Sequence, residues 1–211
     1  MTPLPQLLSS PQLLAALSAF AFVSSITPGP NNAMLMASGA NFGFARTLPH
    51  MAGVSIGFAI LLLAVGLGLG GLFTAFPVLH VALKIVGTLY LLWLAWKIAT
   101  AKGVSGKPDG GRPISFLQAV GFQWVNPKAW VMSVGAVATY VPEGAGLLAN
   151  VALVVLVFSL VNLPCIAAWT GGGVALRRLL ARPAALRMFN AIMAALLVAS
   201  LTPILWDLLA R

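Results

Sequence analysis

Two short stretches of this sequence hold most of the side chains able to do polar chemistry in an apolar setting. "SSITPGPNN", residues 24–32, gathers Ser24, Ser25, Thr27, Asn31 and Asn32 around Pro28, Gly29 and Pro30. "WVNPKAW" places Asn126, Pro127 and Lys128 in a second apolar run. Hydroxyls and amides both donate and accept hydrogen bonds, whereas an ammonium only donates, so the set can hold the two ends of a zwitterion. It lacks the paired nucleophile and base, or the metal cluster, that an enzyme site needs. Binding is the expected chemistry, and no enzymatic activity is expected.

The elements that position these residues follow from composition. Of 211 residues, 60% are hydrophobic and 7% charged, against about 25% charged in soluble domains. This is the composition of an integral membrane protein. A hydrocarbon layer about 30 Å thick takes about 20 apolar residues as helix, and six stretches qualify: 13–39, 48–73, 78–100, 116–141, 147–169 and 186–208. No Lys or Arg precedes Arg46, so the basic start of a cleavable signal peptide is missing and the first stretch is expected to be a retained helix.

The net charge is +9, from twelve Lys and Arg against three acids. In a soluble protein that balance would suggest nucleic acid. Here the bases gather after stretches one (Arg46), three (Lys97, Lys102, Lys107, Arg112) and five (Arg177, Arg178, Arg182, Arg187). Such clustering reads as topology and contact with anionic headgroups. Membrane lipid is thus an expected partner and nucleic acid is not. The positive-inside rule puts these loops in the cytoplasm and both termini outside, in the periplasm of a Gram-negative cell. Lys84, near the start of stretch three, can snorkel outward. The lone Cys165 excludes a disulfide framework and a redox pair, and neither a metal nor a cofactor is expected. The tryptophans lie mostly toward span ends, as an interfacial belt would.

The connection 101–113, "AKGVSGKPDGGRP", is the only convincing linker, and it divides one transmembrane domain, 1–211, into halves 11–100 and 114–208. Without gaps, "PNNAMLMASGA" against "NPKAWVMSVGA" matches Ala33 to Ala129, Met36 to Met132, Gly39 to Gly135 and Ala40 to Ala136. The expected fold is therefore an all-α polytopic membrane protein built as a three-plus-three repeat. With three spans per unit, the second unit must be inverted relative to the first, as in secondary transporters.

Proline in a helix interior costs about 3 kcal/mol or more, so "TPGP" should break span one near Thr27 to Pro30 and "NPK" should break span four. Unwound backbone in hydrocarbon is tolerated only where protein buries it or a wet cavity adjoins it. The half-helix restarting near Asn31 would direct free N–H groups and a positive dipole end into that cavity, where a substrate carboxylate fits. Lys128, aligned with Asn32, would pair with that carboxylate, since ionisable residues at this depth usually mark substrate or ion pathways. Two simpler readings stand beside these: a proline kink that only helps helices pack, and a span four that starts near Trp124 and leaves Lys128 at the interface. His50 begins span two and is a candidate for a proton-linked step or a structural interfacial residue. Asn162, beside Pro164, is a further cavity candidate. Gly53 and Gly57 form a GxxxG suited to close packing or to association with a second copy of the chain.

"TPGPNNAMLMASGANFGF", "GVSIGF", "GTLYLLWLAWKIATA" and "FLQAVGFQWVNPKAW", in this order, resemble the LysE/RhtB family of bacterial amino-acid exporters. "LAWKIA" and "GRPISFLQA" look closest to its cysteine/O-acetylserine branch. The resemblance implies export of amino acids or their derivatives across the inner membrane, driven by an ion gradient, with protons as the first candidate. Cysteine or O-acetylserine, threonine or homoserine, and basic amino acids are the candidate substrates. No Asp or Glu lies well inside any expected span, which sits awkwardly with proton coupling. A metal-ion or other small-solute effluxer of the same superfamily is the alternative, although His, Cys and acidic ligands do not cluster in the spans.

Overall fold

The computed structural model describes residues 10–69, 75, 77–101, 112–142, 146–177 and 179–202. Most of the basic linker lies outside them, as do Arg178, Trp206, Arg211 and all three acids, Asp109, Glu143 and Asp207.

Among the described residues the architecture is all helical, and prolines start most of the helices. α1 (Pro11–Ile26) and α2 (Pro30–Phe42) are separated by three non-helical residues and bend by 56°. α3 (Phe44–Ala64) runs on into a π-helical turn, Val65–Leu69. α4 (Pro77–Ala99) follows, then α5 (Phe116–Val125) and α6 (Pro127–Tyr140), with only Asn126 between them. α7 (Leu147–Leu176), a 3-10 turn at Leu179–Ala181 and α8 (Pro183–Ala199) complete the described chain. Pro30, Pro127 and Pro183 each occupy the first turn, where a missing N–H costs nothing.

Both expected breaks are present, because the chain cannot donate at Pro28, Pro30 or Pro127. Span lengths differ from the expectation of six. Among the described residues two helices are long and apolar enough to cross a membrane, Phe44–Leu69 with 26 residues and Leu147–Leu176 with 30. The α1–α2 pair makes a third if counted as one broken span. α5, at 10 residues, is roughly 15 Å long and cannot cross alone. The described apolar parts of the third and sixth stretches, Ile85–Ala99 and Pro183–Ala199, are also short.

A second difference concerns the first connection. The sequence suggests a loop after Gly39 and a new span from residue 48, yet α2 reaches Phe42 and α3 starts at Phe44. Gly43 alone makes the turn, at φ +85°, a conformation that glycine adopts without penalty. Its N–H donates to Gly39 O at 2.9 Å and its carbonyl accepts from Thr47 Oγ1 at 2.8 Å. His50 consequently sits within α3 and is fully buried.

Glycines decide which helices touch. α2 packs closely on α7: a Cβ on Gly39 would overlap the Thr170 carbonyl, and one on Gly173 would overlap the Met36 carbonyl. α3 packs on α5, where a Cβ on Gly57 would lie 2.7 Å from Val120 Cα and one on Gly53 would overlap the Phe116 carbonyl. The GxxxG pair thus serves packing within the chain. One apolar cluster joins α1, α3, α6 and α7 through Leu17, Phe58, Met132 and Phe158. Another joins α2, α4, α5 and α8 through Met34, Leu94, Phe122 and Met193. Asn41 and Asn190 exchange amide hydrogen bonds of 2.8 and 3.2 Å between α2 and α8.

Overpacking a tight contact typically costs 1–3 kcal/mol. Gly57→Val should therefore lower the thermal stability of the detergent-solubilised protein. Gly121→Val, on α5 with nothing within 4 Å of its added Cβ, should change it little in the same melting assay.

Candidate functional site

α1 stops after Ile26, partway through the first apolar stretch, and its last carbonyls cannot bond within the helix. Each is met by a side chain from elsewhere. Ser24 O accepts from Thr27 Oγ1 at 3.1 Å, and Ser25 O accepts from Asn32 Nδ2 at 2.8 Å. Ile26 O accepts from Trp169 Nε1 at 3.0 Å. Thr27 O accepts from Asn32 Nδ2 at 2.8 Å and from Lys128 Nζ at 2.6 Å. The Lys128 ammonium also donates to Thr27 Oγ1 at 3.0 Å and to Pro28 O at 3.3 Å. A cation at a helix C-terminus also meets the negative end of the helix dipole.

The second break is tied to the first. Asn126 caps α6, its side chain accepting from Lys128 N at 3.2 Å, and so fixes the turn from which Lys128 reaches α1. Trp130 Nε1 donates to Trp124 O at 2.8 Å near the end of α5. Asn31 at the start of α2 and Gln123 near the end of α5 exchange amide bonds of 2.8 and 3.1 Å. Gly29 is needed for space: its φ of −178° is ordinary extended backbone, but an added Cβ would lie 2.7 Å from Lys128 Cδ.

A cavity opens where the breaks meet. Ser24 and Ser25 of α1, Gly29, and Asn31 and Asn32 of α2 line it from the first half. Asn126, Lys128 and Met132, with Asn162 and Ile166 of α7, line it from the second, and Phe58 of α3 closes it. Ser25 Oγ is buried there without a hydrogen-bond partner among the described residues. The structure thus brings Ser24, Ser25, Gly29, Asn31, Asn32, Asn126, Lys128 and Asn162 to one place. Thr27, Pro28, Pro30 and Pro127 shape the breaks without lining the cavity.

Three features depart from the sequence reading. The Asn31 and Asn32 amides are engaged by Gln123 and by α1, and the Lys128 ammonium is engaged by α1, so none of these groups is idle in this conformation. His50 does not line the cavity; it is buried, with neither ring nitrogen hydrogen-bonded among the described residues. Gln123, Trp130 and Trp169 hold the breaks together, although in sequence Gln123 is part of an apolar run and the tryptophans resemble an interfacial belt. An amide inside an apolar run is the one signal able to single out Gln123. Among the described residues no three His, Cys, Asp or Glu side chains come together to hold a metal.

The family description LysE type translocator matches residues 22–200. The chain belongs to the LysE translocator family. It is similar to proteins named cysteine/O-acetylserine efflux protein from Escherichia coli K12, at 37% identity over 135 residues, and from Klebsiella pneumoniae, at 35% over 135 residues. A protein of the same name from Salmonella paratyphi A is 34% identical over 133 residues. Each match covers 63% of this chain and 67% of the relative. No solved structure matches it. As a LysE translocator the chain is a membrane transporter and not an enzyme.

Losing one partner of a buried amide pair leaves the other unsatisfied, at about 1–3 kcal/mol, whereas replacing both with apolar groups approaches neutrality. Gln123→Leu should therefore lower the melting temperature of this translocator more than the double variant Asn31→Leu/Gln123→Leu does. A thermal-melting double-mutant cycle measures the difference.

Proposed function

We propose that this translocator exports amino acids or their derivatives from the cytoplasm to the periplasm, with cysteine and O-acetylserine as the first substrates to test. The observation that carries this reading is the polar cavity between two broken helices, where a buried Ser25 hydroxyl has no partner among the described residues. An amino acid offers the donors and acceptors such a lining needs. The names of the relatives favour the cysteine branch.

The proposed mechanism is alternating access around this cavity, in six spans arranged as inverted repeats within the inner membrane, with both termini periplasmic. Several contacts support the arrangement. α3 packs on α5 and α7 packs on α1, pairs that exchange places when the halves are superimposed in sequence. Asn32 and Lys128, aligned across the halves, both donate to the Thr27 carbonyl. Rocking one half against the other would break and remake the Lys128 bond, which alone of these two joins the halves, and the proton gradient is the proposed energy source.

Export is measured as accumulation of cysteine and O-acetylserine in the medium of an overexpressing strain. The wild-type protein should raise it and a protonophore should stop it. Lys128→Gln should abolish export while the protein still inserts in the membrane. Undiminished export by Lys128→Gln would remove that residue from the site, and unchanged pools with the wild-type protein would contradict the substrate assignment.

A further inference from the structure

An ammonium has three N–H donors, and all three of Lys128 have acceptors on the end of α1: Thr27 O, Thr27 Oγ1 and Pro28 O. None is left for a substrate. Lys128 can meet a carboxylate only by releasing α1, and release strands Pro28 O, whose only hydrogen bond among the described residues comes from Lys128. Thr27 and Pro28 are exposed, so a small ammonium can reach these acceptors, and the negative end of the α1 dipole favours a cation there.

We infer that the Thr27 and Pro28 oxygens form an ammonium-binding site that Lys128 fills in the substrate-free protein and that the substrate's own ammonium takes over on binding. This rests on the export reading and deepens it. The zwitterion's ammonium replaces Lys128 on α1, and its carboxylate receives the displaced Lys128. One cation is exchanged for another, so neither carboxylate nor carbonyl is left unpaired. The substrate class follows: a free amine and a free carboxylate on one small molecule, with N-acylated and decarboxylated analogues rejected. Lys128 is then a built-in competitor that holds α6 to α1 until a molecule carrying both groups arrives.

Chemical rescue tests the site independently of the substrate's identity. In Lys128→Ala the acceptors are vacant, so ethylammonium should raise the melting temperature of the purified variant. Tetramethylammonium, which has no N–H donor, should not, and wild-type protein should respond to neither. Gly29→Ala, which keeps the lysine but crowds its Cδ, should also respond to ethylammonium, and it serves if Lys128→Ala does not fold. Equal effects of the two cations on the variants would overturn the site.

The exchange is tested by adding cysteine, cysteamine or N-acetylcysteine. Wild-type protein should be stabilised by cysteine alone, whereas Lys128→Ala should also be stabilised by cysteamine. Equal stabilisation of wild-type protein by cysteamine and cysteine would overturn the exchange. Rescue by ethylammonium without any effect of cysteine on wild-type protein would keep the ammonium site and discard the cysteine assignment.

Discussion

A helix that stops partway through an apolar segment leaves carbonyls with no donor of its own, and each needs one from elsewhere. At the end of α1 those donors are Thr27, Asn32, Lys128 and Trp169. They come from α1's own terminus, from α2, from α6 and from α7. One local demand, created by two prolines and a glycine, therefore pulls distant parts of the chain to a single point. The packing of α2 on α7 and of α3 on α5, allowed by glycines without side chains, brings the helices near enough to answer it.

The same constraint makes the site suited to transport. The amides of Asn31, Asn32 and Gln123 and the Lys128 ammonium each have a partner, and partners that come from other helices can be exchanged. Lys128 shows this most clearly. Its stem passes over Gly29 and its ammonium closes α1, yet it lines the cavity beside the unpartnered Ser25 hydroxyl. A group so placed can hold the two halves together and release them. The wider family of LysE translocators supplies the setting in which such a release has a use.

Much of this was legible in residue types and spacing. Pro28, Gly29 and Pro30 announce a break, Pro127 announces another, and an ungapped comparison sets Asn32 opposite Lys128. The sequence could not show what those groups would touch. Gln123 finds Asn31 across 92 residues and Trp169 finds Ile26 across 143, and no local pattern encodes such pairings. His50 was placed at an interface because a loop was expected where Gly43 turns the chain in one residue. The α1 carbonyls that Lys128 meets in this conformation exist only once the break has formed, so residue types and spacing point to a substrate carboxylate and not to them.

The central claim is that Lys128 of the second break lies against the first break and moves away when substrate binds. Ser24→Cys and Met132→Cys together, which line the cavity from α1 and α6 and leave Lys128 in place, in a Cys165→Ala background, allow a direct measurement in native membranes with a short bifunctional thiol reagent. The account predicts a cross-link within the chain that forms efficiently without substrate and less so as cysteine-free substrate, such as O-acetylserine, is added. A pair that never cross-links, while each single cysteine still reacts with a monofunctional reagent, would contradict it.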